Sequence, residues 1–173
     1  MNAKEHKLYL QQWIQEKVKA AGADGVVLGI SGGVDSAVLA HLLGEIYPDN
    51  TIGVWMSVDS SLTARRNSLR VFEDSKIGAK HLDLTETFNT LQKELESKPV
   101  FKNLADYEAN IENVEYDASK HLRGTERYDL SLANIKPRLR MTALYQIAQQ
   151  HNYLVIGTSN AAEIFLGYFT KWG

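Results

Sequence analysis

The hexapeptide Ser31-Gly32-Gly33-Val34-Asp35-Ser36 carries the side chains and the backbone freedom needed to hold an anion. Two adjacent glycines let the main chain approach closely with its N–H groups turned inward. A helix beginning behind them would add the favourable end of its dipole, and Ser31 and Ser36 add hydroxyls. Asp35 would repel a phosphate, but a carboxylate there makes sense if it holds Mg²⁺ that in turn bridges phosphate oxygens. The structural alternative is a glycine turn with Ser and Asp capping a helix. The segment lacks the Gly-Lys-Ser/Thr ending of a Walker A loop and the GxGxxG dinucleotide fingerprint.

Three further segments carry chemistry: Asn134 to Met141, Gly157 to Glu163, and Leu166 to Gly173. From the residues alone, Thr158 reads as a cap and Glu163 as a first-turn acid of a short helix. Arg138 and Arg140 are two residues apart, so at about 100° per residue they point about 200° apart on a helix. They cannot both face one small ligand. By composition alone Lys171 is an ordinary exposed lysine. His81 and His151 have no ligand-like spacing and read as satisfied surface or core residues. Trp13, Trp55 and Tyr145 read as core or interface aromatics.

These residues need a frame. Glu5 to Ala20 reads as an amphipathic helix with Leu8, Leu10, Trp13, Ile14 and Val18 on one face. Gly25 to Ile30 is a continuous apolar run of the kind found in strands buried on both faces. Val34 to Ile46 then reads as a helix, Thr51 to Met56 as a second strand, and Leu62 to Ile77 as a second crossover helix. His81 to Leu84 is a weaker strand, and Glu86 to Glu96 a helix. Asn134 is placed to cap a helix to about His151, with Pro137 in its first turn, and Tyr153 to Ile156 is a last strand. Alternation at these lengths indicates an α/β fold around a parallel sheet. In such a sheet the loops after Gly29 and Gly157 open at the same carboxyl edge. Asp35 and Glu163 can then meet there, as two hard oxygen ligands for one Mg²⁺.

The 173 residues suit one domain, 1–173, with formal charge −2. Residues 82–129 hold eleven acids and six bases and read as a solvated, irregular surface stretch from about Ser97 to Leu130. Residues 134–173 are net +3. There is no apolar run of the ~20 residues a membrane helix needs. The N-terminal residues carry no signal-like region, and near-neutral charge gives no sign of nucleic-acid binding. The sequence has no cysteine, which excludes disulfides and a cysteine nucleophile, and a reducing cytoplasm is the default compartment.

A strand followed by SGGVDS and a helix resembles the pyrophosphatase loop of the ATP-pyrophosphatase superfamily. The three C-terminal segments, in this order and spacing, resemble the NAD synthetase family from about Gly25 to Gly173. The resemblance implies an adenine nucleotide alpha hydrolase-like (Rossmann-like) three-layer α/β sandwich with a mostly parallel sheet. It implies ATP contacts at Gly29, Ile30, Ser31, Gly32, Gly33, Val34, Asp35, Ser36 and Thr158, and Mg²⁺ at Asp35 and Glu163. Arg138 and Lys171 match positions that contact deamido-NAD, while Arg140 is left structural, subunit-contacting or auxiliary. Strand 51–56 is expected to line the adenine pocket.

The implied reaction is ATP-dependent amidation of deamido-NAD by ammonia through an adenylated intermediate, releasing AMP and pyrophosphate, with no protein nucleophile or base. Ammonia follows as donor because a glutaminase domain with its cysteine is missing. A cytoplasmic homodimer is expected by the same resemblance. The chain ends inside a substrate-binding motif, so the sequence reads as C-terminally incomplete, with weak ATP binding and poor turnover expected of it alone. The rival readings are a GMP synthetase-like amidotransferase subunit and a catalytically incomplete nucleotide-binding fragment.

Overall fold

A computed structural model describes residues 2–97, 101–110 and 124–173. The elements run α1 (Ala3–Ala20), β1 (Gly25–Gly29), α2 (Val34–Ile46), β2 (Thr51–Ser57), α3 (Leu62–Ser75), β3 (Gly78–Asp83), α4 (Thr85–Ser97), α5 (Leu104–Asn110), α6 (Glu126–His151), β4 (Tyr153–Val155) and α7 (Ala161–Leu166). The four strands form one sheet in the order β3-β2-β1-β4. Every pairing is parallel, with Val26 beside Thr51, Gly25 beside Tyr153 and Ile52 beside Gly78.

Strand alternation divides β1 between two cores. Val26, Leu28 and Ile30 pack with Ile14 and Val18 of α1, Ala40 and Leu43 of α2, and Val71 of α3. Val27, with Val54 and Met56 of β2, packs on the other face against Leu144, Ile147 and Ala148 of α6. The result is the expected α/β/α three-layer arrangement. The chain adds β2 and β3 on one side of β1 and then crosses to β4 on the other. The order therefore reverses between β1 and β4, and a crevice opens there at the carboxyl edge.

Three local expectations change. In α1 the buried stripe is Gln11, Ile14 and Val18, and Leu8, Leu10 and Trp13 are exposed. Leu10 and Trp13 each precede a stripe residue by one, which turns them about 100° off it. Gln11 is buried because its amide donates to Glu45 Oε2 at 2.9 Å, tying α1 to α2. Helix α6 starts eight residues before Asn134. Thr125 caps it, its Oγ1 accepting from the Tyr128 N–H at 3.2 Å, and Glu126 and Asp129 lie in the first turn. Pro137 is thus interior, and Asn134 accepts a hydrogen bond from Thr170 Oγ1 at 2.6 Å, which docks the C-terminal segment on the helix.

Helix α4 forms where Glu86 to Glu96 predicts one, and within the stretch expected to be irregular the described residues form α5 and the start of α6. Residues 98–100 and 111–123 of that stretch lie outside the described residues. Trp55 is buried, whereas Trp13 and Tyr145 are exposed. His151 packs its ring on Tyr153, with centroids 5.5 Å apart. His81 lies at the surface, its Nε2 3.4 Å from Ser57 Oγ.

Candidate functional site

The loop after β1 is shaped by its own side chains. The Gly33 N–H donates to Ser31 Oγ at 3.1 Å, and Ser36 Oγ donates to the Gly33 carbonyl at 3.0 Å. Ser36 is 2% exposed, so its hydroxyl braces the loop. Gly32 has φ +80°, and a Cβ there would sit 2.6 Å from the Ala64 carbonyl and 3.2 Å from the Ser68 nitrogen of α3. Only glycine satisfies both the left-handed backbone and this close approach. Gly33 is the N-cap of α2 and contributes no side-chain cap. The N–H groups of Val34, Asp35 and Ser36 therefore face outward at the helix start without a capping oxygen. An open helix start of this kind is the backbone arrangement that an anion cradle requires.

At the same sheet edge lies a cavity of about 540 Å³. Gly29, Ile30 and Ser31 form its β1 wall, Val58 to Ser61 its β2 wall, and Ile156 to Ser159 its β4 wall. Trp55 and Met56 line it from β2, and Pro137, Arg140, Met141 and Leu144 line it from α6. Two hydrogen bonds carry the sheet ladder into its walls: the Ile30 N–H to the Val54 carbonyl and the Ile156 N–H to the Val27 carbonyl, both 2.9 Å. Thr158 faces the cavity and does not cap α7; Asn160 does, accepting from the Glu163 N–H at 2.9 Å.

The two carboxylates assigned to Mg²⁺ differ in state. Asp35 is exposed in the first turn of α2, and no hydrogen bond or ion pair engages its side chain among the described residues. Glu163 is half-buried and completes a capping box, its Oε2 accepting from the Asn160 N–H at 3.1 Å. Its first-turn structural role is therefore real, and Oε1 is left over. Among the described residues no cluster of three or more His, Cys, Asp or Glu could hold a metal ion. That suits Mg²⁺ carried on phosphates, which takes one or two carboxylates and keeps water for the rest. Asp35 and Glu163 are the carboxylates that such an ion would use, with phosphate and water completing its shell.

The two arginines separate as their spacing requires. Arg138 is exposed in a second depression of about 700 Å³, with Tyr145 and Trp172. Its Nε donates to the Lys171 carbonyl at 3.2 Å. The Lys171 ammonium lies 5.3 Å from the Trp172 ring centroid. The two depressions share Met141 and Gly173 and so adjoin. Arg140, left without a site role from sequence, lines the first cavity, and its Nε donates to the Met56 carbonyl at 3.1 Å. Burial lowers its affinity for a proton. A signal existed for it: Arg140 stands four and seven residues before the buried Leu144 and Ile147, on the inward stripe.

Comparison with known proteins accords with this geometry. The NAD synthase family model matches residues 7–112 and 100–173. The NH(3)-dependent NAD(+) synthetase of Mesoplasma florum is 38% identical over 173 residues, covering 100% of this chain and 61% of the relative. That of Carboxydothermus hydrogenoformans is 39% identical over 174 residues, with the same coverage. This chain thus spans about 61% of the length of these curated relatives.

Among solved structures, the NH3-dependent NAD synthetase from Campylobacter jejuni, in complex with the nitrate ion, superposes with TM-score 0.77 at 30% identity. That match covers 100% of this chain and 63% of that one. The NMN synthetase from Francisella tularensis superposes with TM-score 0.79 at 27% identity, covering 100% and 61%. With a family model spanning nearly the whole chain, a shared fold, and a glycine loop and crevice where the sheet order reverses, this chain belongs to the NAD synthase family.

Proposed function

We propose that the protein acts in ATP-dependent amidation of deamido-NAD to NAD⁺, with ammonia as nitrogen donor. The observation that carries this reading is the adjacency of two depressions across Met141 and Gly173 in a chain of this family. The first, edged by the glycine loop, takes ATP. The second, bearing Arg138 and flanked by the segment with Lys171, takes the anionic dinucleotide. The reacting carboxylate and the α-phosphorus then meet at the shared edge.

The chemistry needs placement and charge neutralisation more than a protein nucleophile. A carboxylate oxygen of the nicotinate forms a bond to the α-phosphorus as the bond to the pyrophosphate oxygen breaks. Ammonia then adds to the acyl carbon and loses a proton, the C–O bond breaks, and AMP departs with that oxygen. The open N–H groups at the start of α2 and the Ser31 segment bind the departing phosphates. The Thr158 hydroxyl faces the same nucleotide. Asp35 and the second oxygen of Glu163 would hold Mg²⁺, whose charge offsets that of the pyrophosphate.

A second acceptor is favoured by one observation. The neighbour from Francisella tularensis is an NMN synthetase, which points to a mononucleotide acceptor in the same cleft. The curated relatives at 38% and 39% identity are named for NAD(+) and favour the dinucleotide. Among the described residues no helix is long and apolar enough to cross a membrane. A cytoplasmic homodimer completes the proposal.

Turnover assays with ammonium or glutamine as sole nitrogen source, at chain excess over deamido-NAD, test the reading. NAD⁺ formed with ammonium supports it, and NAD⁺ formed with glutamine alone overturns the choice of donor.

A further inference from the structure

Among the described residues, Arg140 is the one cation lining the first cavity. Its Nε–H is committed to the Met56 carbonyl at 3.1 Å, which fixes the guanidinium to the carboxyl end of β2. A guanidinium carries five N–H donors in a planar fork. Among the described residues, the Met56 carbonyl is the acceptor that Arg140 meets, and no carboxylate pairs with it. The acid lining the same cavity, Asp59, lies 3.8 Å from Lys136 instead.

A half-buried guanidinium without a counter-ion is costly, because desolvation penalises the charge and nothing nearby compensates it. Such a group becomes favourable when a ligand brings the missing negative charge. The cavity wall formed by Gly29, Ile30 and Ser31 leads into the glycine loop, so an anion delivered there enters the space that Arg140 shares.

We infer that Arg140 is an anion-binding residue of this cavity, in which Nε anchors the head to β2 and the free edge of the fork holds a phosphoryl group of the bound nucleotide. A fork meeting two phosphate oxygens gives orientation as well as attraction, which a lysine point charge does not. This deepens the proposed function and rests on the reading that the cavity takes ATP.

Isothermal titration of the chain with adenosine, AMP and ATP, the last with Mg²⁺, tests it in the wild type and in Arg140→Met and Arg140→Lys. In Arg140→Met, AMP and ATP should bind at least about tenfold more weakly, with adenosine within about twofold of wild type. In Arg140→Lys, which keeps the charge and a donor for Met56, the AMP loss should be intermediate. An equal loss of adenosine and AMP would assign Arg140 to cavity shape alone and overturn the inference. Unchanged AMP affinity in both variants would also overturn it. A wild type that binds none of the three nucleotides instead overturns the ATP reading, which is a distinguishable failure.

Discussion

Arg138 Nε donates to the main-chain oxygen of Lys171 at 3.2 Å, so a side chain of α6 holds the segment that bears the second cation. One residue thereby sets the position of the other. Arg138→Ala removes both a charge and this tether. Deamido-NAD affinity should fall about tenfold or more, with ATP affinity within about twofold. Arg138 is exposed, so thermal stability should change little. Calorimetric titration of each ligand separates the outcomes, and an equal loss of ATP binding would contradict the assignment.

Gly32→Ala tests the loop. The substitution places a Cβ 2.6 Å from the Ala64 carbonyl in a residue with φ +80°. Strain of this kind costs about 1–3 kcal/mol. A lowered midpoint in denaturant melts, together with weakened ATP binding, is expected. A melt matching wild type would show that the loop can rearrange freely.

Glu163 has two roles that a pair of substitutions can divide. Glu163→Gln keeps the capping-box geometry, because glutamine also accepts from the N-cap N–H. Its stability should stay within about 0.5 kcal/mol of wild type, while the Mg²⁺ requirement for ATP binding rises. Glu163→Ala should also lose the carboxylate's bond to the Asn160 N–H, at about 1 kcal/mol, while the Asn160 cap remains. Asp35→Asn should weaken Mg²⁺-dependent binding without a stability change, since nothing in the described structure engages its carboxylate. ATP binding with an unaltered Mg²⁺ dependence in both Glu163→Gln and Asp35→Asn would remove them from the metal site.

The acid limb of stability should respond to Glu45. Its carboxylate accepts from Lys7 Nζ at 2.6 Å and from Gln11 Nε2 at 2.9 Å, and these bonds, Lys7's foremost, hold its pKa below the usual range. The folded state then binds fewer protons than the unfolded one near that value. The contribution is present above the unfolded pKa and is lost as pH falls through the depressed folded pKa. Melting curves of wild type and Glu45→Gln should converge as pH drops through this window. A gap that stays constant with pH would show the pair to be silent.

β1, β2, β4 and the glycine loop were legible because continuous apolar runs and paired glycines leave few alternatives, whereas β3 begins three residues before the expected His81, at Gly78, where no apolar run marks it. Gly32 could be read before its neighbour Ala64 was known. The start of α6 was not, because its cap is a single threonine, Thr125, inside a polar stretch. Pro137 also looked like a boundary, and only the folded chain shows that the helix runs through it. The division of labour between Arg138 and Arg140 was half legible. Their spacing fixed opposite directions, but which one faced inward depended on where Leu144 and Ile147 pack, and that is set by the sheet. Whether Asp35 and the free oxygen of Glu163 act together rests on a ligand's phosphates and was never contained in either local pattern.

The central claim is that the acceptor carboxylate is adenylated. The most direct measurement is mass analysis of AMP after single turnover of deamido-NAD carrying ¹⁸O in its nicotinate carboxylate, with ATP, Mg²⁺ and ammonium. One ¹⁸O atom should appear in the AMP phosphoryl group, because the C–O bond breaks on the acyl side when ammonia adds. NAD⁺ formed with unlabelled AMP would contradict it.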